Sequence, residues 1–206
     1  MVRRPRWTRA RLERVLGARF GRTRRGRVNT RAVADRMGVS QRTVQRWLHA
    51  PGRCRAPITP ARLTQLQELL SPDAIHVTRR RQQASYAAEA IELLASGRGG
   101  LDSWEKQGWL HEHRVAIVED ARAGLRRVVT SRVDASEFDA RRSGVLVAEV
   151  RVPTRFHALV VAEAVLEHVE FWQVDVRRPG VPATTSWFAD APTVDLPAVA
   201  REVLGE

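Results

Sequence analysis

The chain has 206 residues, enough for one large domain or two small ones with usable cores. It carries 35 basic and 23 acidic side chains, a net charge of +12, and Lys106 is its only lysine, so the basic excess is arginine. The single cysteine, Cys54, excludes an internal disulfide and any multi-cysteine zinc site. No apolar run approaches the ~20 residues that cross a bilayer, and none follows Arg3, Arg4 and Arg6 to complete a signal peptide. A reducing cytoplasm, in association with the nucleoid, is the expected location.

The charge is strongly polarised. Residues 1–62 hold 18 arginines against Glu13 and Asp35, a balance of +16, whereas the remainder sums to −4. The first third is therefore expected to meet a polyanion, and the rest is not. Arginine suits bidentate phosphate and base contacts, although GC-rich coding also favours it.

The chain begins with a basic arm, MVRRPRW, in which Arg3, Arg4 and Arg6 are candidates for contact with the DNA backbone. Thr8 then caps a helix with the apolar face Leu12, Val15, Leu16 and Phe20, ended by Gly21. The loop RTRRGR supplies Arg22, Arg24, Arg25 and Arg27 as further backbone contacts. Thr30–His49, TRAVADRMGVSQRTVQRWLH, reads as two short helices around a sharp turn. Val33, Ala34 and Met37 face inward on the first, and Gly38 is suited to the left-handed turn. Ser40 caps the second helix, which buries Val44, Trp47 and Leu48. Ser40, Gln41, Arg42, Gln45 and Arg46 are left outward as candidate base-reading residues, because Gln and Arg make bidentate bonds to adenine and guanine in a major groove.

This stretch resembles the helix-turn-helix unit of bacterial and phage DNA-binding proteins, with Ala34, Gly38, Val39, Val44 and Trp47 at its structural positions. The resemblance covers about twenty residues, or roughly thirty-five with flanking helices. It implies double-stranded DNA as a partner and says almost nothing about which DNA.

After it, Pro51, Gly52 and Pro57 mark a loop holding Arg53, another expected backbone contact, and Cys54. Thr59-Pro60 opens a helix through Leu63, Leu66, Leu69 and Leu70 that should close a four-helix domain at residue 71. Residues 72–100 read as one or two linker helices. The apolar surface of Tyr86, Ala90, Ile91 and Leu94 there packs either internally or on a second copy. Residues 101–206 read as an α+β domain with a small sheet, covered on one face by helices. Its expected strands are Arg114–Glu119, Leu125–Arg132, Val145–Val152 and Val169–Val176. Asp134 should cap a short helix through Phe138, and Pro153-Thr154 a longer one. The last two strands should be a parallel pair about that longer helix. Residues 178–194 read as a proline-rich loop, and Asp195–Leu204 as a terminal helix.

Catalytic patterns are weak. His111-Glu112-His113 with the single tyrosine, Tyr86, is similar to the metal-and-tyrosine chemistry of rolling-circle initiators and relaxases, but those have an apolar residue where Glu112 stands. Two histidines alone also fall short of a zinc site. The order of elements, without any shared motif, also resembles the terminal proteins of actinobacterial linear replicons. That resemblance implies attachment to a DNA 5′ end through a hydroxyl such as Thr130, Ser131 or Tyr86. No phosphate-binding glycine loop or nucleophile elbow is present. Trp187-Phe188, adjacent large aromatics in a proline-rich loop, are the expected contact with a protein partner, with anchoring of the loop in the core as the alternative. The expectation is a sequence-specific DNA-binding protein of phage, plasmid or actinobacterial type. It should be a transcriptional repressor that is not an enzyme and needs no metal or cofactor, with a C-terminal domain that dimerises or binds a partner. The alternatives are a replicon protein acting on DNA ends or nicks, and a non-catalytic DNA-binding adaptor.

Overall fold

The computed structural model describes residues 7–49, 58–98, 102–134, 144–176 and 186–205. The helices are α1 (Arg9–Phe20), α2 (Thr30–Met37), α3 (Gln41–His49), α4 (Pro60–Leu70), α5 (Ala74–Ala95), α6 (Asp102–Lys106), α7 (Arg155–His168) and α8 (Leu196–Leu204). The strands are β1 (His113–Asp120), β2 (Leu125–Arg132), β3 (Val145–Val152), β4 (Gln173–Val174) and β5 (Trp187–Phe188), in the sheet order β3-β1-β2-β5-β4. The chain thus combines an N-terminal helical region with a later part that mixes helices and a five-stranded sheet. The expected short helix after Asp134 lies outside the described residues, as do Arg3, Arg4, Arg6, Arg53 and Cys54.

The chain divides into two compact units, and neither is continuous in sequence. The first comprises Met1–Pro72, Arg122–Leu125 and Phe171–Asp190. Its core joins Leu12, Val15 and Leu16 of α1 to Val33, Ala34 and Met37 of α2, Val44, Trp47 and Leu48 of α3, and Leu66 and Leu70 of α4. Leu125, Val174, Val176, Trp187 and Ala189 belong to the same cluster. The helical domain therefore does not close at residue 71. The Leu70 carbonyl accepts a hydrogen bond from the Asp175 backbone N–H at 2.7 Å, and β4 and β5 pair antiparallel, Gln173 with Phe188 and Val174 with Trp187.

Two expectations fail in this segment. Val169–Val176 is not one strand: α7 runs on to His168, Glu170–Trp172 forms a 3-10 turn, and only Gln173–Val174 is extended. The expected parallel pair is also absent, since β3 and β4 stand at opposite ends of the strand order. Trp187 and Phe188 are each 1% exposed. They occupy β5 in the core and offer no surface to a partner, so core anchoring of the loop is what the structure shows.

The second unit comprises Asp73–Ala121, Arg126–Glu170 and Ala191–Glu206. Residues 72–100 are not a free linker here, because α5 is a single 22-residue helix packed along α7. Ala87 and Ala90 let the helices approach over Trp104 and Phe156, with Ile91 and Leu94 packed against that cluster. The apolar side of α5 is thus satisfied internally. Glu163 on α7, 6% exposed, accepts from Arg80 Nη2 at 3.2 Å and from Arg80 Nε as well, which offsets the cost of burying its charge. Strand β1 pairs antiparallel with β3, His113 opposite Val152 and Glu119 opposite Val145. Val115, Ala116, Ile117 and Val118 are four consecutive buried residues, so at that level both faces of β1 are covered, not one as alternation would give.

No helix among the described residues is long and apolar enough to cross a membrane.

Candidate nucleic-acid interface

The turn between α2 and α3 follows from local chemistry. Asn29 Oδ1 accepts the Ala32 N–H at 3.2 Å and starts α2. At the other end Gly38 sits at φ +60°, and its N–H returns to the Ala34 carbonyl, a geometry a side chain would strain. Ser40 Oγ then accepts the Thr43 N–H at 3.2 Å and lies 2.9 Å from Thr43 Oγ1, which starts α3. The Ser40 hydroxyl is therefore engaged as the cap, and its part in DNA contact is secondary to that. The Met37 carbonyl at the end of α2 accepts from Arg62 Nη1 at 3.3 Å and Gln65 Nε2 at 3.4 Å, so α4 holds the pair of helices from behind.

With Val44, Trp47 and Leu48 buried, α3 exposes Gln41, Arg42, Gln45, Arg46 and His49. They form two stripes at the four-residue helical spacing, Gln41–Gln45–His49 and Arg42–Arg46. Gln41 Nε2 donates to Thr30 Oγ1 at 3.0 Å, which aims one end of the first stripe.

The arginine loop is ordered by its own hydrogen bonds. Gly26 N–H reaches the Thr23 carbonyl at 2.9 Å and Thr23 N–H reaches the Arg27 carbonyl at 2.7 Å, while Arg22 bridges Val28 in antiparallel fashion. Gly26, at φ +73°, supplies the left-handed residue that closes this tight hairpin. Arg22 Nη1 donates to the Gly26 carbonyl at 2.8 Å and lies 3.6 Å from Glu13 Oε1. Arg22 is consequently a brace of the loop, not the free phosphate contact expected of it. Arg24, Arg25 and Arg27 are exposed.

The loop and the recognition helix share one cleft of about 720 Å³. Arg24, Arg25 and Arg27 line it together with Gln41, Gln45 and His49, and with Thr23, Val28 and Thr30. Three of the expected backbone-contacting residues are thereby brought beside two of the expected base readers. Arg42 and Arg46 are not part of the lining; they stand on the neighbouring stripe of α3. His49 was missed by the sequence reading, although the i, i+4, i+8 series from Gln41 contains the signal.

The basic face is narrower than the count of 18 arginines suggests. Arg11 is 2% exposed, donates to the Ala189 carbonyl, stacks on Trp7 with its guanidinium carbon 5.0 Å from the ring centroid, and lies 3.7 Å from Asp190 Oδ2. Burial pushes its pKa down to about 10, with Asp190 opposing and Arg14 reinforcing the shift. Asp190, at φ +54°, also pairs with Arg14, and Arg19 reaches Asp175 at 2.8 Å. Aspartates of the Phe171–Asp190 segment thus neutralise α1. Arg24, Arg25, Arg27, Arg31, Arg36, Arg42 and Arg46 have no hydrogen-bond or ion-pair partner among the described residues, and all seven are exposed on α2, α3 or the hairpin.

The other sequence candidates lie elsewhere. His113 is buried with Nδ1 2.9 Å from the His111 carbonyl, while His111 is exposed. Tyr86 is half-exposed and meets Trp104 and Phe156 edge-on, at 6.5 and 6.2 Å between ring centroids. Among the described residues no three His, Cys, Asp or Glu side chains cluster to hold a metal.

No curated protein and no solved structure matches the chain. Residues 8–53 match the family model of the homeodomain-like domain, and within that segment the chain carries a helix-turn-helix of the DNA-binding type.

Proposed function

We propose that the protein is a sequence-specific DNA-binding regulator, a repressor that acts by occupying its site and performs no catalysis. The observation that carries this reading is the division of labour in the first unit. Buried Val44, Trp47 and Leu48 fix α3, and its outward Gln41, Arg42, Gln45 and Arg46 adjoin a hairpin with three arginines that no acidic group neutralises. In this reading α3 enters the major groove, Arg42 and Arg46 read guanine edges, Gln41 and Gln45 read adenine, and the hairpin follows phosphates. Selection of bound fragments from random duplexes tests it. Arg42→Ala or Arg46→Ala should each weaken the selected site by about 1–3 kcal/mol and relax the preference at one base pair. Equal weakening on selected and random DNA would remove the base-reading role.

A repressor of this kind gains affinity by binding as a pair, and β3 supports that. It ends the strand order, and Val145, Leu146 and Val147 are 58%, 50% and 43% exposed. An apolar edge strand is a template for pairing with another strand. Antiparallel pairing with a second copy about Leu146 would set Val145 beside Val147 of that copy. Val147→Lys is then expected to turn a dimer into a monomer in sedimentation equilibrium. A wild-type chain that is monomeric at micromolar concentration would rule this pairing out.

A further inference from the structure

A second cleft, of about 300 Å³, lies in the unit that lacks the recognition helix. Its walls come from α5, the start of α7 and Trp109. Tyr86, Trp109, Phe156 and Leu159 give it an apolar, largely aromatic lining, with Phe156 buried and Tyr86 half-exposed. Phe156 and Trp109 meet edge-on, 5.9 Å between centroids, and the Arg155 guanidinium carbon sits 4.5 Å above the Trp109 ring. Arg79, Gln82 and Gln83 complete the lining from successive turns of α5. Neither Arg79 nor either glutamine amide has a hydrogen-bond or ion-pair partner among the described residues.

The chemistry of this lining is selective. Ring faces and edges favour a planar ring. Two guanidiniums with no acidic side chain in the lining disfavour a cation and favour an anion, and arginine suits a carboxylate in particular. Two primary amides can orient a ring substituent through either a donor or an acceptor. The volume is at the small end for ligand sites, which fits one ring or a fused pair and not a nucleotide. We infer that the cleft between α5 and α7 binds a small aromatic carboxylate. The ring lies among Tyr86, Trp109 and Phe156, and the carboxylate meets Arg79 or Arg155. This assignment stands independently of the DNA-binding reading, which concerns the other unit.

Titration calorimetry on the full chain, with benzoate, 4-hydroxybenzoate and indole-3-carboxylate as probes, tests it. At least one should bind saturably with a stoichiometry of about one per chain. Indole-3-carboxamide, tryptamine and inorganic phosphate should bind much more weakly. Loss of the charge-assisted bond in Arg79→Gln or Arg155→Gln should weaken the best carboxylate by about tenfold or more. Circular dichroism and the thermal midpoint of each variant establish that it is folded; Arg79→Gln, on an exposed turn of α5, is the variant expected to stay closest to wild type. The inference is overturned if none of the three carboxylates binds in the millimolar range. It is also overturned if the carboxamide or phosphate binds as well as the acid, or if both folded variants bind like wild type.

Discussion

Replacing Trp187 by alanine is expected to destabilise the DNA-binding unit by about 3–5 kcal/mol, the range for deleting a large buried aromatic. That is a large part of the 5–15 kcal/mol by which a typical domain is stable. The argument rests on where the ring sits. Trp187 is 1% exposed, pairs through β5 with β4, and belongs to the same apolar cluster as Leu12, Leu16, Val33, Val44 and Trp47. A cavity there removes packing from behind the helix-turn-helix although Trp187 is 140 residues from Trp47. Urea unfolding followed by far-ultraviolet circular dichroism should show the midpoint falling, with DNA affinity lost at 37 °C before it is lost at 10 °C. Trp187→Phe, which keeps most of the volume, should cost clearly less. A role for Trp187 in contacting a partner predicts the reverse, unchanged stability with a lost interaction, and a wild-type midpoint for Trp187→Ala would restore that role. Truncation after residue 100 should also unfold the reading head, since it removes Leu125, Val174, Val176, Trp187 and Ala189 from one core.

The contrast between Trp47 and Trp187 shows which parts of the fold could be read in advance. Trp47 lies in a stretch whose structure is dictated by neighbours within a few residues: Asn29, Gly38 and Ser40 set helix ends, and the 3.6-residue period sets the buried side. Most element ends followed from such local chemistry, including the Thr8 and Asp195 caps and the left-handed Gly124 between β1 and β2. Trp187 has no local signal of that kind. Flanked by proline-rich sequence and forming only a two-residue strand, it is positioned by contacts with α1–α4 residues more than a hundred positions away. The same long-range packing joins α5 to α7, where alanines alone hinted at close approach. Charge was legible in amount but not in direction. Nothing near Arg11, Arg14 or Arg19 in sequence announces Asp190 and Asp175, which neutralise that side of α1. What remains basic is the side facing the cleft, so the fold concentrates the field of the first third instead of spreading it.

That concentration makes the hairpin the place to test phosphate binding. The combined variant Arg24→Ala, Arg25→Ala, Arg27→Ala should lower the slope of log K against log salt by about 2.7, from about 0.9 per phosphate released. At moderate ionic strength, about 1 kcal/mol for each contact gives a loss on the order of a hundredfold in affinity. Selected and random duplexes should weaken alike, because phosphates carry no sequence. These three side chains hold no partner within the protein, so the thermal midpoint should stay near the wild-type value. Arg22→Ala supplies the internal contrast. Arg22 bonds the Gly26 carbonyl and approaches Glu13, so its loss should loosen the hairpin and change the salt slope by much less than one phosphate's share. The pair of results separates two roles for one arginine-rich loop. A triple variant with an unchanged slope would mean that the cleft beside α3 does not lie on the DNA backbone. An Arg22 variant that loses a full phosphate's slope would mean that its bonds to Gly26 and Glu13 give way when DNA binds.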